Sequence, residues 1–70
     1  MDKPIYNRIK AVLAEKRKTS KWLAAELDMN TTSISKWCRN DMQPRVETLF
    51  QIANALDVDV RELLVSNRAL

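Results

Sequence analysis

The sequence contains no glycine and no histidine, and each absence excludes a class of function. Without glycine there is neither a phosphate-cradling loop nor a dinucleotide-binding fingerprint, because both need glycine where the backbone approaches phosphate. Without histidine the single cysteine, Cys38, has no imidazole partner that could activate it as a nucleophile. One cysteine and scattered carboxylates also cannot assemble a metal site. We therefore expect no enzyme, no catalytic residue, no cofactor and no bound metal.

Long apolar runs and paired cysteines are also missing. No run approaches the roughly 18 apolar residues that a membrane-spanning helix needs. The first ten residues, MDKPIYNRIK, lack the apolar segment of a signal peptide. A single cysteine cannot form an internal disulfide, which is typical of reducing compartments. These observations predict a cytoplasmic protein with no membrane partner.

The residues that are present predict an all-α fold. The chain of 70 residues is 46% hydrophobic and 30% charged, which suits one small globular domain over 1–70. Its core is expected over 5–64, with a short N-terminal arm and a C-terminal tail. Hydrophobic periodicity predicts a compact five-helix orthogonal bundle, with helices at about 4–15, 20–27, 31–39, 46–56 and a last short one from 60.

Apolar spacing also predicts which faces of these helices are buried. Helix one should bury Ile5, Ile9, Val12 and Leu13, and helix four should bury a wide face that includes Val46 and Phe50. Asp59 and Glu62 have the spacing of a capping box that starts the fifth helix, with Val60, Leu63 and Leu64 on its apolar side. Four apolar residues lie in the C-terminal segment: Val58, Leu64, Val65 and Leu70. We expect them to complete the core, and the alternative is that they form a surface for a partner or for a dimer.

The most informative stretch is 19–39, TSKWLAAELDMNTTSISKWCR, which predicts a helix, a tight turn and a second helix. In the second helix Ile34 and Trp37 point to one side. The opposite side carries short hydroxyls and cations with no carboxylate: Thr31, Thr32, Ser35, Lys36 and Arg39. A solvated face normally mixes both signs of charge. This face instead suits a polyanion with hydrogen-bonding edges, such as the major groove of DNA.

Because glycine is absent, other residues must take the left-handed backbone at helix ends. Asp28, Asn40 and Asp57 stand where glycine would be expected, and Asp and Asn tolerate positive φ best. Thr19 and Asn30 are predicted N-caps, with the Asn30 side chain accepting the Ser33 amide hydrogen. Around this motif, Met29 should fill the space under the turn, and Trp22 should be half-buried under Lys18 or Lys21.

Positive charge is concentrated in the same part of the chain. Residues 1–45 hold ten Lys/Arg and five Asp/Glu, whereas residues 46–70 hold two Arg and four Asp/Glu. Such an asymmetry is typical of an electrostatic footprint for phosphate, although a fluctuation of surface charge would look similar. The basic run Lys16, Arg17 and Lys18 fits either a solvated loop or contacts with the DNA backbone.

Residues 9–64 resemble the XRE family of lambda-repressor-like and Cro-like helix–turn–helix domains. The resemblance rests on Thr19 with Leu23-Ala24, Leu27 and the turn, Ile34-Ser35-Lys36-Trp37, Pro44 with Val46-Glu47-Thr48-Leu49, Ile52-Ala53, Ala55-Leu56, and Val60 with Glu62-Leu63-Leu64. It implies that helix three enters the major groove of double-stranded DNA. The function it implies is a sequence-specific transcriptional regulator, by default a repressor, located in the cytoplasm and associated with the nucleoid.

The resemblance also assigns roles by position. It places Thr31, Thr32 and Lys36 at base-reading positions, with Ser35 nearby. The phosphate-contacting positions fall on Ser20, Lys21, Arg39 and Arg45. Ser20 replaces a frequent glutamine and is shorter, so its contact passes to Lys21 if it fails. Cys38 replaces a frequent glutamate, and is interpreted as a small half-buried filler rather than a redox sensor.

Two questions stay open at this level. The protein could bind a palindromic site as a homodimer, with half-sites about one helical turn apart, or it could bind as a monomer. The alternative function is a protein-interaction module of the same fold, such as an antitoxin that binds a toxin partner.

Overall fold

The computed structural model describes residues 3–68. Four α-helices follow one another: α1 (Ile9–Glu15), α2 (Ser20–Leu27), α3 (Thr31–Cys38) and α4 (Val46–Leu56). A 3₁₀ helix, Val60–Leu63, follows α4. No β-strand occurs within residues 3–68, although Asn7 and Leu64 form one isolated antiparallel bridge. The prediction of an all-helical fold is confirmed.

The predicted count of five helices is wrong, because the fifth segment forms a single 3₁₀ turn instead of an α-helix. The capping box is present, with the Asp59 amide donating to the Glu62 carboxylate at 3.2 Å. The chain leaves the helix at Leu64, whose φ of −115° and ψ of 149° are extended. Pairing with Asn7 holds Leu64 in this extended form, so the turn cannot continue into an α-helix.

The first helix begins five residues later than predicted. Residues 4–8 form an arm without helical structure, and Ile5 in that arm is 56% exposed, so its predicted place in the buried stripe is wrong. The arm follows a different path because the Asn40 side-chain oxygen accepts hydrogen bonds from the amides of Tyr6 and Asn7, both at 3.0 Å. In addition, the Tyr6 carbonyl accepts a hydrogen bond from the Val65 amide at 3.0 Å.

The core is assembled from the inward faces of all five elements. Each element contributes one or two of the largest fully buried side chains: Ile9, Val12, Leu23, Ile34, Ile52 and Leu63. Trp37 lies beside them at 7% exposure, and Trp22, Leu27 and Met29 pack partly buried against the same cluster. The predicted core positions of Ile34 and Trp37 are therefore confirmed.

Two other predicted burial patterns are wrong. Val46 and Phe50 on α4 are 66% and 53% exposed, because α4 buries a narrower stripe formed by Leu49, Ile52, Ala53 and Leu56. Leu64 and Val65 are exposed and do not complete the core, whereas Val58 packs partly buried against it. The prediction for Leu70 lies outside the described residues.

The helix ends follow the predicted chemistry with one change. The Thr19 hydroxyl accepts from the Trp22 amide at 3.0 Å. The Asn30 side chain accepts from Thr32 at 2.6 Å, and not from Ser33, because the Ser33 amide donates to the backbone carbonyl of Asn30. Positive φ occurs at the three predicted positions, with values of 53°, 60° and 57°: Asp28, Asn40 and Asp57. A fourth position, Arg17 with φ of 57°, was not predicted.

The longest described helix, α4, has 11 residues. None of the helices within the described range is long and apolar enough to cross a membrane.

Candidate nucleic-acid interface

The outer face of α3 is exposed and free of carboxylates. Thr31, Thr32 and Lys36 are all exposed, while Ser35 is half-buried at the edge of the same face. The opposite side of α3 is anchored by Ile34, which is fully buried, and by Trp37. Residues 31–39 contain no Asp or Glu. The four predicted base-reading side chains are therefore on one helix that is held rigidly from behind and open to a partner in front.

The turn between α2 and α3 fixes the position of this face. Asp28 ends α2 in the left-handed conformation, and the Met29 amide donates a hydrogen bond to the Ala24 carbonyl at 2.8 Å. Met29 packs partly buried under the turn, as predicted. The two helices pack directly against each other. Because both sides of the turn are capped and packed, α3 has little freedom to rotate about its own axis.

A cavity of about 340 Å³ lies beside α3, between α1, the start of α2 and the end of α3. It brings together three of the predicted site residues, Ser20, Ser35 and Arg39. It adds Lys10 from α1, which the sequence analysis did not place in the site, and Lys18 from the segment before α2, for which contact with the DNA backbone was one of two interpretations. The cavity therefore collects cations from three parts of the chain beside the exposed face of α3.

Arg39 is held in place by a carboxylate. Its Nε atom donates to the Asp41 carboxylate at 2.8 Å, and the other oxygen of Asp41 accepts from the Lys3 ammonium. The hydrogen bond from Lys3, and next that from Arg39, hold the pKa of Asp41 below its usual value. Asp41 therefore stays ionised at neutral pH and orients the guanidinium through its Nε atom.

The remaining two phosphate candidates lie apart from the cavity. Lys21 and Arg45 are both exposed, and neither lines the cavity. Arg45 is the N-cap residue of α4, and its side chain makes no capping hydrogen bond. Both side chains are therefore free to contact a partner, at positions separate from the cluster around Ser20.

Sequence reasoning missed Lys10 and left Lys18 undecided for the same reason. Lys10 lies 29 residues before Arg39, and no local pattern reports that α1 passes beside the end of α3. Lys18 has a second contact, since its ammonium lies 4.8 Å from the centre of the Trp22 ring. This cation–π contact confirms the prediction that Trp22 packs half-buried under Lys18.

Other chemistry is sparse in the described residues. Cys38 is half-buried, and its sulfur lies 3.6 Å from the Ser20 hydroxyl oxygen. Within residues 3–68 no group of three or more Cys, Asp or Glu side chains is close enough to hold a metal ion. The arrangement therefore offers hydrogen-bond donors and positive charge, and these are the means of binding a polyanion.

A helix–turn–helix family model matches residues 9–63 of the chain. The chain belongs to this helix–turn–helix family. The match confirms the resemblance to XRE-type domains, and it includes all four α-helices and the 3₁₀ helix of this helix–turn–helix protein.

Among solved structures, one similar chain is a protein from Bacteroides fragilis that is proposed to bind DNA. It is 46% identical and superposes with a TM-score of 0.83, covering 84% of this chain and 95% of the other. A comparison with curated proteins finds no match.

Proposed function

We propose that the protein is a sequence-specific DNA-binding transcriptional regulator that inserts α3 into the major groove. The observation that carries this proposal is the outer face of α3, where exposed Thr31, Thr32 and Lys36 lie together without any carboxylate. Hydroxyls and a lysine can meet base edges, with lysine donating to guanine O6 or N7. Membership of the helix–turn–helix family and the likeness to the Bacteroides fragilis protein support it.

In this proposal base reading and backbone binding are divided between different side chains. Thr31, Thr32, Ser35 and Lys36 read base edges, and a threonine methyl can in addition touch the methyl group of thymine. The phosphate contacts come from cations and hydroxyls around this face: Ser20, Lys21, Arg39 and Arg45. Phosphate contacts set the register of the protein on the duplex but carry no sequence information.

Lys36→Ala tests the division directly. Loss of one base contact should weaken binding to the preferred sequence by about 1–3 kcal/mol and relax specificity at one base pair. Binding to random DNA should change much less. The measurement is a fluorescence titration of both DNAs at one salt concentration. Arg61→Gln is the control, because Arg61 is exposed on the 3₁₀ helix and pairs there with Asp59. An equal loss on both DNAs would contradict a base-reading role for Lys36.

The proposed mode of regulation is repression, since occlusion of a promoter needs nothing beyond binding. The protein would act in the cytoplasm, on the nucleoid. A promoter fusion whose output falls as the protein is induced is the expected result, and rising output would overturn repression.

The second candidate is a protein-interaction module of the same fold, and one observation favours it. Tyr6 is 59% exposed and is joined by its carbonyl to the amide of Val65, which is also exposed, beside the exposed Leu64. This apolar surface could bind a second copy of the chain or another protein. Co-purification distinguishes the two functions, because an antitoxin forms a stable complex with its toxin, whereas a simple repressor is recovered alone or as a homodimer.

A further inference from the structure

Asn40, the residue after Arg39, joins the N-terminal arm to the end of α3. Its side-chain oxygen accepts hydrogen bonds from the amides of Tyr6 and Asn7, both at 3.0 Å. Its side-chain amide donates to the Asn7 carbonyl at 3.2 Å. Its backbone stays on α3, because the Asn40 amide donates to the Trp37 carbonyl at 3.0 Å. One side chain therefore clamps two consecutive residues of the arm against the helix end.

The outer part of the arm depends on this clamp because it has no apolar anchor. Residues 3–6 are all exposed, and burial begins only at Asn7. Besides the clamp, the Tyr6 carbonyl accepts a hydrogen bond from the Val65 amide at 3.0 Å. Segments with few buried apolar contacts open at a low cost in free energy. The outer residues of the arm can therefore detach while the helices remain folded.

Docking of the arm places Lys3, the residue directly before it, beside Asp41. The Lys3 ammonium donates to one carboxylate oxygen of Asp41, and Arg39 Nε donates to the other at 2.8 Å. With Lys3 in place, two cations share one carboxylate and one positive charge is left over. Without Lys3 the remaining pair is neutral, and Asp41 then cancels the charge that Arg39 presents to a phosphate. The charge at this end of α3 therefore depends on where the arm lies.

We propose that Asn40 is a positioning residue for DNA binding, because it holds the arm where Lys3 neutralises Asp41 and leaves Arg39 able to attract phosphate. This role rests on the proposed function, in which Arg39 contacts the DNA backbone. Neither Asn40 nor Lys3 needs to touch the DNA, since both act through Asp41. Release of the arm should weaken binding to all sequences alike, because phosphate contacts carry no sequence information.

Asn40→Gly removes the clamp and keeps the backbone. Asn40 has a φ of 60°, which glycine adopts without strain, and its amide can still donate to the Trp37 carbonyl. Hydrogen exchange of the Tyr6 amide, measured by NMR, should become faster as the arm is released. In fluorescence titrations the affinity for the preferred sequence and for random DNA should fall about threefold to fivefold at low salt. Rising salt should reduce this loss, because it screens the charge.

Position 57 supplies the matched control. Asp57 ends α4 with a φ of 57° and is exposed. Comparing Asp57→Asn with Asp57→Gly makes the same exchange of asparagine for glycine at a second left-handed helix end, without a change of charge between the two variants. These two variants should bind DNA equally and should exchange the Tyr6 amide at equal rates. Circular dichroism verifies that all variants are folded.

A double-mutant cycle with Lys3→Gln separates the positioning role from a general loss of stability. Lys3→Gln should weaken DNA binding about as much as Asn40→Gly, but it should leave the Tyr6 amide protected because the clamp is intact. Lys3→Gln/Asn40→Gly should bind no more weakly than either single variant, since the arm then has no charge to deliver. Lys3 is exposed, so Lys3→Gln should fold and test the charge by itself even if Asn40→Gly does not.

The other outcomes are distinguishable. A Tyr6 amide that stays protected in Asn40→Gly would overturn the clamp. Unchanged DNA affinity in either single variant would overturn the positioning role and leave the proposed function standing. The same conclusion would follow if the two losses multiply in the double variant, because Asn40 would then act independently of Lys3. If the unchanged protein binds no DNA, the proposed function fails, and the positioning role fails with it.

Discussion

Replacing Asn7 by alanine tests the polar network that ties the N-terminal arm to the end of α3. Asn7 is only 3% exposed, although it is polar. Its side-chain amide donates to the Trp37 carbonyl at 2.9 Å and to the Gln43 side chain at 2.7 Å. Its side-chain oxygen accepts from the Ile9 amide, at 3.0 Å, where α1 begins. Asn7→Ala removes all three bonds.

The cost follows from the groups that lose their partners. The Ile9 amide is in buried surroundings and loses its acceptor, and one unsatisfied buried group costs about 1–3 kcal/mol. The Trp37 carbonyl keeps the hydrogen bond that it accepts from the Asn40 amide at 3.0 Å, and the exposed Gln43 side chain can bond water, so these two groups add little. We expect a loss of about 2 kcal/mol in the free energy of unfolding. A domain of this size has only about 4–10 kcal/mol in total, so the variant should lose a large share of its stability.

The assay is urea denaturation followed by circular dichroism at 222 nm, with Asn54→Ala as the matched control. Asn54 lies exposed on α4, so the same substitution there should change stability by less than about 0.5 kcal/mol. Asn7→Asp adds a second test. The introduced carboxyl group still accepts a hydrogen bond from the Ile9 amide, but its other oxygen faces the Trp37 carbonyl oxygen. Repulsion between these two oxygens raises the pKa of the introduced carboxyl group in the folded state. Relative to the unchanged protein, that variant should therefore be least destabilised at low pH and lose stability as pH rises. An Asn7→Ala variant as stable as Asn54→Ala would refute the reasoning.

Further predictions concern the core and the ion pairs. Trp37→Ala should cost about 3–5 kcal/mol because it empties a buried site, whereas Trp22→Ala, on a half-buried residue, should cost clearly less by the same urea assay. Native helicity and unchanged stability in Trp37→Ala would contradict its core position. The side-chain hydrogen bond from Arg61 lowers the pKa of Asp59. A lowered pKa stabilises the fold above the ordinary carboxyl pKa, and this contribution is lost as pH falls through the lowered value. The stability of Asp59→Asn, measured by thermal denaturation, should therefore fall less at acid pH than that of the unchanged protein. An equal fall in both proteins would contradict a stabilising pair between Asp59 and Arg61.

The features that could be predicted from the sequence are those fixed by neighbouring residues. Positive φ at Asp28, Asn40 and Asp57 follows from helix ends that lack glycine, because few other residues tolerate that conformation. The Thr19 cap and the Asp59 capping box are set within three or four residues. Local chemistry of this kind can be read directly from the printed sequence.

The errors arose where distant residues decide the structure. Helical periodicity over residues 4–15 could not reveal that Asn40, more than 30 residues away, binds the amides of Tyr6 and Asn7 and keeps the arm out of α1. Likewise, a helical wheel gave α4 a wide apolar face, but the neighbouring elements cover only part of it and leave Phe50 exposed. Periodicity reports which residues share a face, and it does not report how much of that face is covered.

The candidate site also has one part that could be predicted from the local sequence and one part that depends on distant residues. The four base-reading candidates on α3 lie within six residues, so their common face was predictable from helical spacing. The cavity joins Lys10, Lys18 and Arg39 from separate segments, and only the packing of α1 against α3 brings them together. The roles assigned to all of these side chains stay predictions until binding is measured.

The central claim is sequence-specific DNA binding through α3, and selection of bound sequences from a random DNA pool tests it most directly. The recovered sequence is then titrated at several salt concentrations beside random DNA. We expect a defined motif bound at least about a thousandfold more tightly than random DNA. A palindrome would in addition show binding as a dimer with its half-site spacing. A pool that returns no preferred sequence, with equal affinity for all DNAs, would contradict the claim and favour the protein-interaction module.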